Sequence, residues 1–210
     1  MAYDLEEQEQ IDAIKAWWKQ HGNTVLLSIA VFVAIVAGIQ GWRNYHNKQT
    51  VQAAGLYEML QGAADSHDAN KVRAVAGQLI EQYPRTPYAT RAALMAANSN
   101  YDGGDAKSAK AQLQWVLEHA GSDEIRDAAR LRLAGILLDE KNHAEALKLL
   151  EAKHGAAFDG LYADLKGDVL LASGKSAEAV ASYKLALEKI DPTSAYRGLV
   201  QMKLDGLDGQ

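Results

Sequence analysis

The feature that most constrains this chain is an uncharged apolar stretch from Thr24 to Trp42. A helix of this length measures about 28 Å, which is close to the hydrocarbon thickness of a bilayer. Trp17 and Trp18 precede the stretch, and Tyr45 follows it. Aromatic rings at both ends of an apolar run are typical of the two membrane–water interfaces. The sequence therefore predicts one uncleaved transmembrane helix near the N-terminus.

Two alternatives to an uncleaved anchor fit the sequence less well. A signal peptide has a basic N-terminal region and a shorter apolar core, whereas acidic residues dominate the part of this chain that precedes the stretch. A buried helix of a soluble core would not explain the aromatic flanks or the lack of a polar face. Lys15 and Lys19 before the span balance Arg43 and Lys48 after it, so the positive-inside rule leaves the orientation open. A short leader before a single span is usually the end that is retained.

Composition divides the chain into an acidic leader with an amphipathic helix over residues 1–23, the transmembrane helix over residues 24–42 and one domain over residues 43–210. The net charge is −5, and the leader contributes most of it, so nothing predicts nucleic-acid binding. The absence of cysteine permits an oxidising compartment without requiring one. Alanine, leucine, lysine and glutamate are abundant and only three prolines occur, which predicts an all-α fold.

Helical hairpins repeat along the third segment, most clearly over residues 161–192. Gly167 lies within the first helix of this unit, and Gly174 ends that helix where a left-handed residue is favourable. Ser176 is interpreted as the cap of the second helix, and Ala179 as a small residue at the helix crossing. The same frame places Ala109 and Ala146 in two units upstream, with turns at Gly103-Gly104 and Lys141-Asn142. A looser pair precedes them, and residues 193–207 predict a terminal cap.

This pattern resembles the tetratricopeptide repeat, with a generic array of helical hairpins as the alternative. Either array buries its apolar faces by stacking neighbouring units. The whole layout is more specific, since it combines an acidic leader with a Trp-Trp pair, a span ending in GWR, and the segments LRLA, DLKGDVLLASG and QMKLDGL. It resembles the YfgM family of ancillary subunits of the bacterial Sec translocon. The resemblance implies an inner-membrane anchor, a periplasmic repeat domain, and association with the translocon and a membrane-anchored periplasmic chaperone related to prolyl isomerases.

Residues that suggest chemistry have simpler interpretations. Gly174-Lys175-Ser176 matches the last three positions of the phosphate-binding loop motif. Val169 stands where that motif needs its first glycine. The six histidines are never three or four residues apart, so no pair shares a helix face as zinc ligands. Asp164 and Asp168 lie one turn apart and are interpreted as a solvated face beside Lys166. The sequence predicts no enzymatic activity, cofactor or metal, and a nucleotide-binding protein is a distant alternative.

Small residues predict a packing face on the transmembrane helix. Ala30, Ala34 and Gly38 recur every four residues, and this spacing lets another helix approach closely. The alternative is that alanine and glycine are simply common in membrane helices. Before the span, Ile11, Ile14 and the two tryptophans form an apolar stripe that predicts an interfacial helix or a docking helix.

The second predicted interaction surface is a groove lined by the first helix of each hairpin. Such a groove would suit an extended or helical segment of another protein. Core packing between neighbouring repeats is the alternative for each of its residues. The candidates are Leu94, Tyr101, Leu131, Leu138, Leu161 and Leu171.

These predictions together describe a membrane-anchored, non-enzymatic interaction protein. It binds a periplasmic chaperone or an emerging chain through its repeats, and its span places it beside the translocon to assist protein export. The alternative is an envelope scaffold or regulator with no link to export.

Overall fold

The computed structural model describes residues 2–208, with side chains from Glu9 to Leu207. The first acidic side chains of the predicted leader and the last residues of the predicted repeat domain therefore lie outside the described residues. Within the described part the backbone forms α-helices and one short 3₁₀ turn, with no strand, which confirms the all-α prediction. The helices are α1 (Ala2–Asp65), α2 (Ala69–Gln82), α3 (Pro87–Asp102), α4 (Ala106–His119), α5 (Asp123–Asp139), α6 (His143–Leu150), α7 (Asp159–Ala172), α8 (Ser176–Lys189) and α9 (Tyr196–Asp208).

The chain divides into two units, of which the first ends at Gln49 and consists of helix α1 up to that residue. Among the described residues, α1 is the one helix that is long and apolar enough to cross a membrane, with a mean hydropathy of 2.2 over its most apolar window. Its apolar side chains are exposed, as Phe32 is to 67%. This exposure suits a helix surrounded by lipid and confirms the single predicted span.

The second unit begins at Thr50 and stacks helices pairwise. The last turns of α1 pack with α2, and three hairpins follow, formed by α3 with α4, α5 with α6 and α7 with α8. Helix α9 packs against α8 as the predicted terminal cap. The frame alanines Ala109, Ala146 and Ala179 are fully buried, as the small residues at predicted crossings should be.

The tightest crossing joins the two helices of the last hairpin. A Cβ atom added at Gly167 in α7 would lie 2.5 Å from Cε1 of Tyr183 in α8. Tyr183 is 1% exposed, so its ring occupies the space that a side chain at position 167 would need. Glycine at this position therefore permits the close approach that the sequence predicts.

Four turns with the same geometry connect the two helices of each pair. A residue with positive φ stands at the same place in every turn: His67 (φ 56°), Gly104 (83°), Lys141 (61°) and Gly174 (78°). In each case the N–H of the next residue donates to a carbonyl five residues earlier, and the N–H of the left-handed residue donates to a carbonyl three residues earlier. This pair of hydrogen bonds is the Schellman motif. The turns at Gly103-Gly104 and Lys141-Asn142 are therefore confirmed.

Candidate functional site

The first helices of the hairpins lie side by side, with α3 against α5 and α5 against α7. The predicted groove residues lie on these three helices. Leu94, Leu131 and Leu138 are partly buried and pack against the core shared mainly by the first two hairpins, α3 with α4 and α5 with α6. Tyr101, Leu161 and Leu171 are more open, with 36–37% of each residue exposed. The second group therefore offers an accessible apolar surface, and the first group mainly supports the packing between repeats.

A cavity of about 460 Å³ opens between the first pair and α3, and we call it the first pocket. Ala64, Ala69 and Val72 line one side, and Met95 and Asn98 line the other. The lining is mostly apolar, and the cavity is open to solvent on one side. A pocket of this size can receive one apolar side chain of a bound segment.

A cavity of about 190 Å³ repeats this arrangement between α3 and α5, and we call it the second pocket. Asn98 lines both pockets, so they lie next to each other along the array. Four lining positions of α3 in the first pocket recur 37 residues later in α5 in the second pocket. Met95 of the first pocket corresponds to Arg132 of the second, and Asp102 corresponds to Asp139.

Arg132 brings a positive charge to the second pocket. Its side chain is exposed and forms no hydrogen bond or ion pair with the described part of the chain. The surrounding helices displace part of the water around the guanidinium, and this burial lowers the pKa of Arg132. Tyr101 donates its hydroxyl proton to Asp139 at the other end of the pocket, and this hydrogen bond raises the pKa of Tyr101. Arg132 carries no signal in its local sequence, although this charged residue stands where the preceding repeat has Met95.

A buried polar cluster joins the last hairpin to α9. Lys203 Nζ lies 2.9 Å from Asp164 Oδ2 and 2.7 Å from Asp168 Oδ2. The hydroxyl of Tyr183 donates to Asp168 at 2.8 Å, and that of Tyr196 donates to Asp164. The Asp164 side chain is only 3% exposed, so the prediction that Asp164 and Asp168 form a solvated face is wrong. Both carboxylates serve to hold the cap in place.

A second buried carboxylate orders the loop between α6 and α7. Asp127 accepts from Arg130 Nη1 at 2.7 Å and from the backbone N–H of Gly155 at 2.9 Å. The hydroxyl of Tyr162 donates to the carbonyl of Asp127 at 3.2 Å, and burial raises the pKa of Tyr162. His154 stacks on the Tyr162 ring at 3.9 Å between centroids. These contacts fix the second and third hairpins relative to each other.

The Gly174-Lys175-Ser176 segment is a turn between helices. Gly174 has the left-handed conformation, Lys175 is the N-cap, and helix α8 begins at Ser176 without a side-chain cap. The prediction that Ser176 caps this helix is therefore wrong by one position. Within residues 9–207, no group of three or more histidine, aspartate or glutamate side chains could hold a metal ion.

The small residues of the membrane helix face outward. Ala30, Ala34 and Gly38 are exposed, and a Cβ atom added at Gly38 would meet no atom within 4 Å. Ile11, Ile14, Trp17 and Trp18 of the leader are exposed as well, at 50–66%. Both faces are therefore accessible within the first unit, and their roles stay predictions.

Comparison with known proteins agrees with this architecture. Residues 15–209 match a family described as a tetratricopeptide repeat-like domain. A protein of Neisseria gonorrhoeae named "Ancillary SecYEG translocon subunit" is 35% identical over 211 residues, which cover 99% of this chain and 100% of the relative. Proteins with the same name from Haemophilus influenzae and Escherichia coli are each 27% identical, over 99% and 96% of this chain and 100% and 96% of the relatives. The chain therefore belongs to the family of ancillary SecYEG translocon subunits, whose helical hairpins form a tetratricopeptide repeat-like domain.

Proposed function

We propose that this protein is a single-pass membrane adaptor that associates with the Sec translocon and presents its repeat domain to a second partner. The observation that carries the proposal is the combination of one apolar span with an array of repeats along which two pockets are open. The relatives named as translocon subunits align over nearly the whole chain, which supports the same role here. The adaptor role requires no enzymatic activity, and the tetratricopeptide repeat-like domain supports such a role.

The membrane helix contacts the translocon through Ala30, Ala34 and Gly38. Without neighbouring side chains to fill the space, these positions let the backbone of a second helix approach closely, and close packing drives helix association in lipid. Replacing all three with leucine should keep the protein in the membrane, because the span becomes more hydrophobic. The same variant should lose co-purification with the translocon in a gentle detergent.

A matched control places the added bulk elsewhere on the span. The variant Val36→Leu enlarges an exposed side chain on the opposite side of the span, about 160° around the helix from Ala34. It should co-purify with the translocon as the native protein does. Equal recovery from the triple-leucine variant would refute the contact through the small residues.

The repeat domain binds a membrane-anchored periplasmic chaperone related to prolyl isomerases, or a chain that the chaperone receives. The exposed groove residues Leu161 and Leu171 and the two pockets support a role in binding an extended segment. A photocrosslinking residue at Leu171 should capture export partners in intact cells, and the same residue at exposed Lys184 of α8 serves as the control. If crosslinks from the groove and the span identify only proteins unrelated to export, the envelope scaffold takes the place of this proposal.

The repeat domain lies in the periplasm and the leader in the cytoplasm, as the short leader supports. The chain contains no cysteine, so one introduced thiol reports the location of its own segment. A cysteine at exposed Ser176 should react with an impermeant thiol reagent in intact spheroplasts. One at exposed Gln10 should react only after lysis. The reverse pattern would refute this orientation.

A further inference from the structure

We infer that the second pocket is a receptor for a carboxylate side chain within an extended segment of the partner protein, with Arg132 as its cationic contact. The inference rests on the proposed function, because it assigns the chemistry of the segment that the repeat domain binds. The adjoining first pocket takes an apolar side chain of the same segment.

The charge at Arg132 is available to a ligand. No other described residue forms a hydrogen bond or ion pair with the guanidinium. Asp139 lies two turns further along α5, about 10 Å away along the helix axis, and accepts from Tyr101 instead. A guanidinium with five free N–H groups beside a cavity is matched best by a planar carboxylate.

Packing does not require an arginine at this place. The corresponding lining position of the first pocket is Met95, in the same helical frame 37 residues earlier. In the first pocket the array therefore accommodates an uncharged side chain of similar length at the corresponding position. Arginine in the second pocket adds a positive charge where packing needs none, and ligand recognition explains this difference between the pockets.

Because the two pockets adjoin, one continuous bound segment can place a side chain in each of them. Asn98 lines both cavities, and its amide forms no hydrogen bond with other described side chains. A bound chain can therefore pass from one pocket to the other, and the Asn98 amide can donate to a backbone carbonyl at the junction. The volume of about 190 Å³ in the second pocket exceeds that of a glutamate side chain.

The test measures the affinity of defined peptides for the full-length protein in detergent micelles. The probes are dansyl-labelled nine-residue peptides of leucine and serine with an amidated C-terminus and a central glutamate or glutamine. At low salt the glutamate peptide should bind about fivefold more tightly, the factor that a partly solvated charge pair provides. In 0.5 M salt the difference should shrink, because salt screens exposed charges. A third peptide, with glutamine and a free C-terminal carboxylate, should bind like the amidated glutamine peptide.

Variants of the protein locate the contact. Arg132→Met copies the residue of the first pocket and should bind the two amidated peptides equally, whereas Arg132→Lys should retain part of the preference. Arg85→Gln removes an exposed arginine outside both pockets and should leave the fivefold ratio unchanged. Circular dichroism of each variant verifies that the fold is intact.

The outcomes separate this inference from the proposed function. Equal binding of the amidated peptides to the native protein overturns the carboxylate receptor but leaves the adaptor role in place. A preference that persists in Arg132→Met, or that appears only with the free C-terminus, also overturns it. If neither peptide binds while Leu171 still crosslinks to export partners, the inference fails alone. The loss of both binding and crosslinks removes the proposed function as well.

Discussion

The Lys141→Gly variant should be more stable than the native protein. Lys141 adopts a left-handed backbone conformation with φ of 61°, in a turn where Gly104 and Gly174 occupy the same place in other hairpins. All three turns form the same two hydrogen bonds. Glycine therefore fits the Lys141 turn without rearrangement. The Cβ atom of lysine strains the left-handed backbone there, and glycine has no Cβ atom.

The magnitude follows from the conformational terms alone. A left-handed conformation costs an L-residue about 1–2 kcal/mol, and glycine avoids this cost while losing about 0.5–1 kcal/mol more conformational entropy on folding. The Lys141 side chain is exposed and forms no ion pair or hydrogen bond within the described residues, so the substitution removes no contact. The net gain in the free energy of unfolding is about 0.5–1 kcal/mol, which raises Tm by about 1–4 °C for a chain of this size.

The assay is urea unfolding of the full-length protein in micelles, followed by the helical circular dichroism signal. Gly104→Ala is the matched control, because its new Cβ atom would meet no other atom within 4 Å. It should lower the free energy of unfolding by about 1 kcal/mol for conformational reasons only. If Gly104→Ala is destabilising but Lys141→Gly leaves stability unchanged or lowers it, strain at Lys141 is not the reason for the difference between the turns.

Three further perturbations concern the last hairpin and its cap. Gly167→Ala should lower the free energy of unfolding by about 1–3 kcal/mol in the same assay, because the added methyl group overlaps the Tyr183 ring; a neutral result would contradict the tight crossing. Lys203→Met should cost about 3 kcal/mol, since it leaves Asp164 buried without a cation, and a loss below 1 kcal/mol would contradict the cluster. Burial and hydrogen bonds to carboxylates raise the pKa of Tyr183 and Tyr196 above the ordinary value of 10.0, so their contribution to stability is complete below pH 10 and should be lost as the pH rises further. Unfolding at pH 9 and pH 11 measures this loss, and replacing both tyrosines with phenylalanine should reduce the difference.

The helical hairpins could be predicted because each depends on signals close together in sequence. Alanines at a constant place in the frame predict close crossings, and Ala109, Ala146 and Ala179 are all fully buried. Glycine predicts the left-handed residue in two turns. His67 and Lys141 adopt the same conformation without a glycine in the sequence to indicate it.

The cap of α8 shows what comparison of the repeats adds. In every turn the N-cap is the residue directly after the left-handed one, and Asp68 and Asp105 at this place accept from a backbone N–H three residues later. Lys175 occupies the same place and cannot accept. Serine is a common N-cap residue, and this suggested a cap at Ser176. The position relative to the left-handed residue of the turn instead determines which residue has the capping conformation.

Long-range electrostatics could not be read from local spacing. Asp164 finds its cation 39 residues later, in a helix whose placement depends on the completed third hairpin. Sequence neighbours such as Lys166 suggested a solvated face instead. Arg132 was missed for a related reason: an exposed arginine is common, and only the cavity beside it and the methionine at the corresponding position make it informative.

The dependence of Asp164 on Lys203 also sets an order of events during synthesis. The chain is made from its N-terminus, so α7 and α8 are complete before the segment that carries Lys203 emerges. Until then, Asp164 lacks the two groups of α9 that contact it, the hydroxyl of Tyr196 and the ammonium of Lys203. The contacts that complete the third hairpin therefore form only after α9 has emerged. A chain interrupted before α9 would leave Asp164 without these contacts, and that end of the array would be loose and open to proteolysis.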